Sequence, residues 1–251
     1  ATEERLVYRD SGLPGDRVVE HIVSNSVRHL NPGGVAQVLA NWMIFADQPW
    51  DERLAGWISG ADAFVVQREI VDLPTYVELW LKDAGLHSAP DYHQRYDTWL
   101  SWFEDQGARA VGFGWINLRR TDVQPILRFD DWPYEVEQPI GAEIAEHFAR
   151  QRIDGLDAAS LLTRPDVVQE TLGPVGAEDP SQIVIRQQRG MRRARQVSTA
   201  EAALVGACDG DLTIAQIQSA LEQLGVERVA DQVVSELVTE GFLVTEITAG
   251  D

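Results

Sequence analysis

The stretch His29–Ile44, HLNPGGVAQVLANWMI, limits what the chain can fold into more than any other. Val35 to Ile44 is a near-continuous apolar run, the pattern of a parallel strand covered on both faces. Ahead of it, Val18, Val19, Ile22, Val23, Val27 and Leu30 recur three or four apart, which lines one face of a helix beginning at Asp16. Asn31-Pro32-Gly33-Gly34 separates the two, because proline cannot continue helical hydrogen bonding and paired glycines turn the chain at little steric cost. A helix folded tightly back onto a buried strand commits the first half to layered α/β architecture.

Composition narrows the function classes. The chain has 251 residues, an apolar fraction of 44% and a formal charge of −19. That is enough for a real core, and too acidic for a surface that wraps phosphate backbones. Lys82 is the sole lysine, so cationic work falls to arginine. Cys208 is the sole cysteine and sits among Leu204, Val205 and Ala207, as an inert packed thiol does. No apolar run reaches the roughly 18 residues that span a bilayer. The expected setting is cytoplasmic, without membrane partners. His21, His29, His87, His93 and His147 show no metal-ligand spacing, so no metal is expected.

Along the chain, a short helix is expected over Asp51–Ile58, a strand over Ala63–Ile70, helices over Pro74–Ala84 and Tyr92–Gln106, and a strand over Ala110–Arg120. In that strand Val111, Phe113, Trp115 and Asn117 share one face, and Gly112, Gly114, Ile116 and Leu118 the other. Residues 122–139 hold prolines and an acidic cluster and read as a domain joint. Beyond it, helices are expected at Ile140–Arg152 and, briefly, Asp157–Leu162. Pro165–Leu172 is ambiguous, and Ser181–Arg189 reads as a strand. Helices then follow at Ser198–Ala207, Thr213–Leu224 and Val229–Glu240, before a strand at Phe242–Ile247. The first of these opens with a capping box, Ser198 with Glu201. Three helices and a closing strand resemble a winged-helix module.

The unit Leu30-x-Pro32-Gly33-Gly34-Val35 resembles the approach to the fifth strand of class I S-adenosylmethionine-dependent methyltransferases. Leu6 to Asp16, LVYRDSGLPGD, is similar to the segment that follows the Asn-Pro-Pro-aromatic motif in members that act on planar nitrogens. The resemblance covers roughly residues 1–121. It implies an α/β fold class: the C-terminal part of a Rossmann-like methyltransferase sheet, strands five to seven, with the antiparallel seventh inserted between fifth and sixth. An α+β winged-helix-like domain follows. The expected domains are 1–121, a linker at 122–139, and an accessory domain at 140–251 whose winged-helix-like end spans about 197–247. No glycine-rich phosphate loop of the G-x-G-x-x-G kind occurs. By the resemblance the S-adenosylmethionine-binding half and the catalytic motif lie upstream, so this chain holds no catalytic or cofactor-binding residue and is inactive alone.

The substrate-side candidates are Tyr8, Arg9 and Asp10, in the loop that covers the methyl acceptor by resemblance, and Asn41 and Trp42 near the carboxyl end of the fifth strand, where open sheets bind ligands. Each has a bland alternative: a surface Arg–Asp pair for the loop, a turn cap for Asn41, core filling for Trp42. Arg186, Arg189, Arg192, Arg193 and Arg195 form the one strongly basic cluster, either a nucleic-acid contact or internal neutralisation. The implied function is methyl transfer to a nitrogen of RNA, DNA or a protein amide, with the missing N-terminal half as partner. The alternative is a non-enzymatic winged-helix adaptor that binds protein or nucleic acid. A truncated sheet would also expose an edge that favours oligomers.

Overall fold

A computed structural model describes residues 14–153, 155–176 and 180–245. The chain is mixed α/β with several sheets. It divides into two compact units, Ala1–Pro133 and Tyr134–Asp251. Among the described residues no helix is long and apolar enough to cross a membrane.

The first unit runs α1 (Arg17–Ser26), β1 (Val35–Phe45), α2 (Trp50–Ala55), β2 (Ala61–Asp72), α3 (Leu73–Asp83), α4 (Tyr92–Asp105), β3 (Ala108–Arg120) and β4 (Leu127–Asp131). Its four strands lie in the order β1-β3-β2-β4. β3 is antiparallel to both β1 and β2, so those two run the same way, and β4 is parallel to β2. The even-numbered side chains of β1 point to one face, where Ala40 and Trp42 pack with Val23 of α1, Leu54 of α2, Trp57, Ala63, Val65, Ile116 and Leu118. On the other face Met43, Phe45, Val111 and Phe113 lie beneath Val77 and Leu81 of α3 and Phe103 of α4. Burying Val77 or Leu81 fully stabilises the unit by about 1.5–3 kcal/mol each, so a charge at either would release α3. α3 starts sharply because the Asp72 side chain accepts the Thr75 N–H (2.7 Å) and Pro74 fits the first turn.

The expected joint at 122–139 is shorter than the composition indicates. Leu127–Asp131 is a strand of the first sheet, and the units divide after Pro133. The reason lies in a buried carboxylate. Asp62 is wholly inaccessible, takes an Arg119 guanidinium at 2.8 Å and accepts the Ile126 N–H at 3.0 Å. That bond fastens the chain to β2 just before β4 begins.

The second unit runs α5 (Gly141–Arg150), β5 (Ser160–Thr163), β6 (Val167–Leu172), β7 (Gln182–Gln187), β8 (Ala194–Val197), α6 (Thr199–Ala207), β9 (Asp209–Thr213), α7 (Ile214–Gln223), α8 (Asp231–Thr239) and β10 (Leu243–Val244). It holds two three-stranded sheets, β10-β5-β9 and β6-β7-β8. Leu161, Ile185, Leu204, Ile214, Leu237 and Phe242 form its core. The capping boxes at Ser198/Glu201 and Thr213/Gln216 are both formed. Gln218, 1% exposed, uses its amide to bridge the N–H and carbonyl of Val229, which ties α7 to the segment before α8.

Several expectations need correction here. Asp157–Leu162 is not a helix: a 3-10 turn at Leu156–Ala158 leads into β5. Pro165–Leu172 resolves as the strand β6 because it pairs with β7. Gly210, which reads from the sequence as the breaker after Ser198–Ala207, lies at φ +91° inside β9, after α6 has already ended at Ala207. The closing strand is limited to Leu243–Val244 among the described residues, and Glu246 and Ile247 lie outside them.

Candidate functional site

β1 borders the described sheet on one side, and its carboxyl end carries a cluster of polar side chains. In an antiparallel ladder alternate residues aim their backbone groups at the neighbour and away from it. The Arg120 N–H donates to the Gly34 carbonyl (2.9 Å), and the register pairs Ala36 with Leu118. Even-numbered residues through Trp42 therefore bond to β3, while Val35, Gln37, Leu39, Asn41 and Met43 turn their backbone groups outward.

Met43 alone of these has its outward groups taken by described side chains. Its N–H donates to Asp16 Oδ2 at 2.8 Å, and its carbonyl accepts Arg53 Nη2 at 2.7 Å. Arg53 also pairs with Asp16 at 2.6 Å and lies against the Phe45 and Trp57 rings at 5.0 and 4.9 Å. Asp16 is 6% exposed. The start of α1 and the end of α2 thus close over the carboxyl end of β1. Gly15 permits this approach: at φ +62°, a Cβ there would lie 2.8 Å from the Met43 methyl.

Asn41 and Trp42 are adjacent in sequence and fall on opposite faces. Trp42 has no exposed surface. Its Nε1–H donates to Gln67 Oε1 at 3.1 Å, and its ring stacks on Trp50 with centroids 5.6 Å apart. Gly112 and Gly114 make room for it, since a Cβ at Gly112 would lie 2.6 Å from Trp42 Nε1 and one at Gly114 2.9 Å from the Trp42 ring. The structure therefore places Trp42 in the core. Asn41 is half-buried, and its side chain lies within polar reach of the Tyr76 hydroxyl on α3. Burial pushes the Tyr76 hydroxyl up to about 12, with the Trp80 and Asn41 side chains pulling the other way and the Asp16 charge adding to the rise. Tyr76 stays a neutral donor and acceptor at any physiological pH, packed edge-on against Phe103 (5.5 Å) and tilted on Phe113 (5.8 Å). Tyr8, Arg9 and Asp10 lie outside the described residues.

Sequence reasoning missed Asp16, Arg53 and Tyr76 as members of this cluster. Asp16 stood only at the start of the expected helix, and nothing in the sequence singled out Arg53. Nothing in the sequence singled out Tyr76, because its place beside Asn41 depends on how α3 lies on the sheet.

The basic cluster of the second unit is neutralised internally. Arg186 pairs with Glu170 (2.9 Å), Arg189 with Glu137 (2.6 Å), Arg192 with Glu135 (3.3 Å), and Arg195 with Glu236 (2.8 Å) and Glu240 (3.0 Å). Burial would weaken the Arg195 charge, but its bonds to the two glutamates hold it above the ordinary value. Arg193 is only 8% exposed. Neither α7 nor α8 contains a lysine or arginine. An open groove of about 580 Å³ lies between β6 and α6, bordered by Gln169, Thr171, Ile183, Ala202 and Ala203. Among the described residues no three His, Cys, Asp or Glu side chains gather as metal ligands.

Compared with protein-family models and with curated proteins, the chain gives no match to either.

Proposed function

We propose that the first unit is the carboxyl-terminal part of a class I S-adenosylmethionine-dependent methyltransferase domain, and that the second is an accessory domain with a winged-helix-like end. The observation that carries the reading is the order β1-β3-β2, with β3 antiparallel between two strands that run alike. That inserted strand is what the resemblance implies for strands five, seven and six, and the Pro32-Gly33-Gly34 turn enters β1 where the family has it. Methyl transfer from the sulfonium to a planar nitrogen depends chiefly on holding the two reactants in line. On this reading Asn41, oriented by Tyr76, belongs to the acceptor-side wall, and the donor-binding half is supplied from ahead of α1.

Within the second unit the order α6, β9, α7, α8, β10 suits a winged-helix-like module with β5 completing its sheet. Its helices offer phosphate backbones no cation, and the nearby arginines are paired. The accessory domain on this reading contacts protein rather than nucleic acid.

The test is transfer of a tritiated methyl group from S-adenosylmethionine by this chain joined behind the donor-binding half that the reading requires. Incubation with ribosomal RNA, DNA and protein acceptors should label one class, and Asn41→Ala should lower labelling by about tenfold or more, the scale of one lost positioning contact. Absence of label in every class, with the donor bound or not, would overturn the reading.

A further inference from the structure

We infer that the groove between β6 and α6 is a docking site for an extended peptide segment of a protein partner, which adds as a strand to the outer edge of β6 and turns apolar side chains towards α6. The inference deepens the reading that the accessory domain contacts protein.

The edge follows from the hydrogen-bond register. The Gln188 N–H donates to the Asp166 carbonyl at 2.9 Å, and this pair continues the ladder that sets Val168 opposite Arg186 and Glu170 opposite Val184. In an antiparallel ladder alternate residues bond to the same neighbour, so Asp166, Val168 and Glu170 turn their backbone groups to β7. Gln169 and Thr171 turn theirs the other way. Among the described residues no strand pairs with β6 on that side. The N–H and carbonyl of Gln169 and of Thr171 are therefore left for an incoming strand, and no proline interrupts β6 to keep one away.

The groove runs along the same strand. Gln169 lies opposite Ile185 and Thr171 opposite Ile183, so their side chains share the face on which α6 packs. α6 presses on β7 and β8 through Leu204 and Val205. Its small Ala202 and Ala203 leave the space over β6 open, about 580 Å³. A sheet edge, a helix and a groove between them suit strand addition, in which main-chain bonds give affinity and alternate side chains fill the groove.

The walls set the occupant. No residue that borders the groove is charged, although the chain carries −19. Residues of an added strand opposite Gln169 and Thr171 point into the groove, and apolar groups suit them. The residue between them falls on the other face, beside Glu170 and the exposed Val168 and Leu172. Glu170 holds Arg186 at 2.9 Å, and a second carboxylate next to it would be repelled. The ligand is thus an extended segment, apolar at alternate positions and neutral or basic between them. A second copy of β6 does not fit, because its own outward residues, Gln169 and Thr171, would bring polar side chains to the groove.

A heptapeptide library displayed on phage and panned on the full chain tests this. Selected peptides should place apolar residues at alternate positions and carry no net negative charge. At saturation a selected peptide should slow exchange of the Gln169 and Thr171 amides by at least about tenfold and leave those of Val168 and Glu170, already bonded to β7, unchanged. Ala203 is half-buried and lies outside the core, so Ala203→Arg fills the groove without disturbing the fold. Thr171→Pro removes an outward donor only. Each should weaken binding at least about tenfold, with circular dichroism unchanged for Ala203→Arg. Failure to select any peptide, or Gln169 and Thr171 amides that stay fast in the complex, would overturn the inference. Protection of those amides that rises with the concentration of the chain alone would put a second copy there and overturn it too. Peptides that bind the second unit regardless of Ala203→Arg would overturn the groove and uphold the protein-contact reading, whereas retardation of RNA by the chain would defeat that reading and leave a mapped peptide site standing.

Discussion

Replacing Trp42 by phenylalanine separates a core role from a ligand-facing one. The indole N–H is the group that meets Gln67 Oε1, at 3.1 Å, and Gln67 is 1% exposed. Gln67 Nε2 is buried with no hydrogen-bond partner. Trp42→Phe leaves the whole Gln67 amide unmatched in the sheet, at about 1–3 kcal/mol. It also weakens the stacking on Trp50, about 0.5–1.5 kcal/mol, and opens space worth about 1–2 kcal/mol. The expected loss is about 3–5 kcal/mol. Gln67→Leu removes the unpaired Nε2 but strands the Trp42 N–H, for a net cost of about 0–2 kcal/mol. The double variant removes both ends of the bond, so its cost should fall short of the sum by about 1–2 kcal/mol. Urea unfolding followed by tryptophan fluorescence reads this cleanly, because every tryptophan, from Trp42 to Trp132, lies in the first unit. Additivity within about 0.5 kcal/mol would refute the bond and with it the placement of Trp42.

Other outcomes follow from the same geometry. Arg164 holds Asp166 and Glu143 (2.9 Å) in a part-buried triad, so Arg164→Ala should destabilise the second unit by about 2–4 kcal/mol after allowance for solvent screening. That loss appears in circular dichroism and not in tryptophan fluorescence. Burial opposes ionisation of Asp166, but Arg164 and the Arg189 N–H hold its carboxyl below the ordinary value, so its contribution is present above about pH 4 and is lost as pH falls through the lowered value. At the alkaline end burial pushes Tyr76 and Cys208 up to about 12 each, the Asp209 charge adding to the Cys208 shift. Their contribution is present below the unfolded values, roughly 10 and 8.5, and is lost as pH rises towards 12. Phenolate absorbance of Tyr76 and alkylation of Cys208 should both wait for unfolding below about pH 11. With its arginines paired, the chain should not retard RNA in a gel at physiological salt; retention that Arg189→Ala and Arg192→Ala abolish would contradict the neutralised surface.

The elements with strong periodicity were legible in the sequence. α1, the Pro32-Gly33-Gly34 turn and the alternation of β3 lie close to where their apolar spacing puts them, whereas Val35–Phe45, expected as a parallel strand covered on both faces, pairs antiparallel with β3 and leaves Val35 and Leu39 exposed. The strands that escaped have weak patterns: β8 is ARQV and β9 is DGDLT, with no apolar face of their own, and β4, LRFDD, offers only Leu127 and Phe129 among charged neighbours. Each is a strand because a neighbour supplies the ladder, and such pairing overrides weak local preference. The site was half legible. Asn41 stood out by its place near the end of β1, whereas Tyr76 and Arg53 reach the cluster only through the packing of α3 and α2. The glycines at 112 and 114 carried information that spacing alone did not release: a Cβ at Gly112 would meet Gln67 and Trp42, and one at Gly114 would run into the Val66 carbonyl and the Trp42 ring.

The most direct test of the central claim is calorimetric titration of S-adenosylmethionine into this chain joined to the proposed donor-binding half, beside the same titration into the chain alone. The account predicts saturable binding to the first and no heat of binding to the second. Binding to the chain alone, or none to the joined protein, would contradict it.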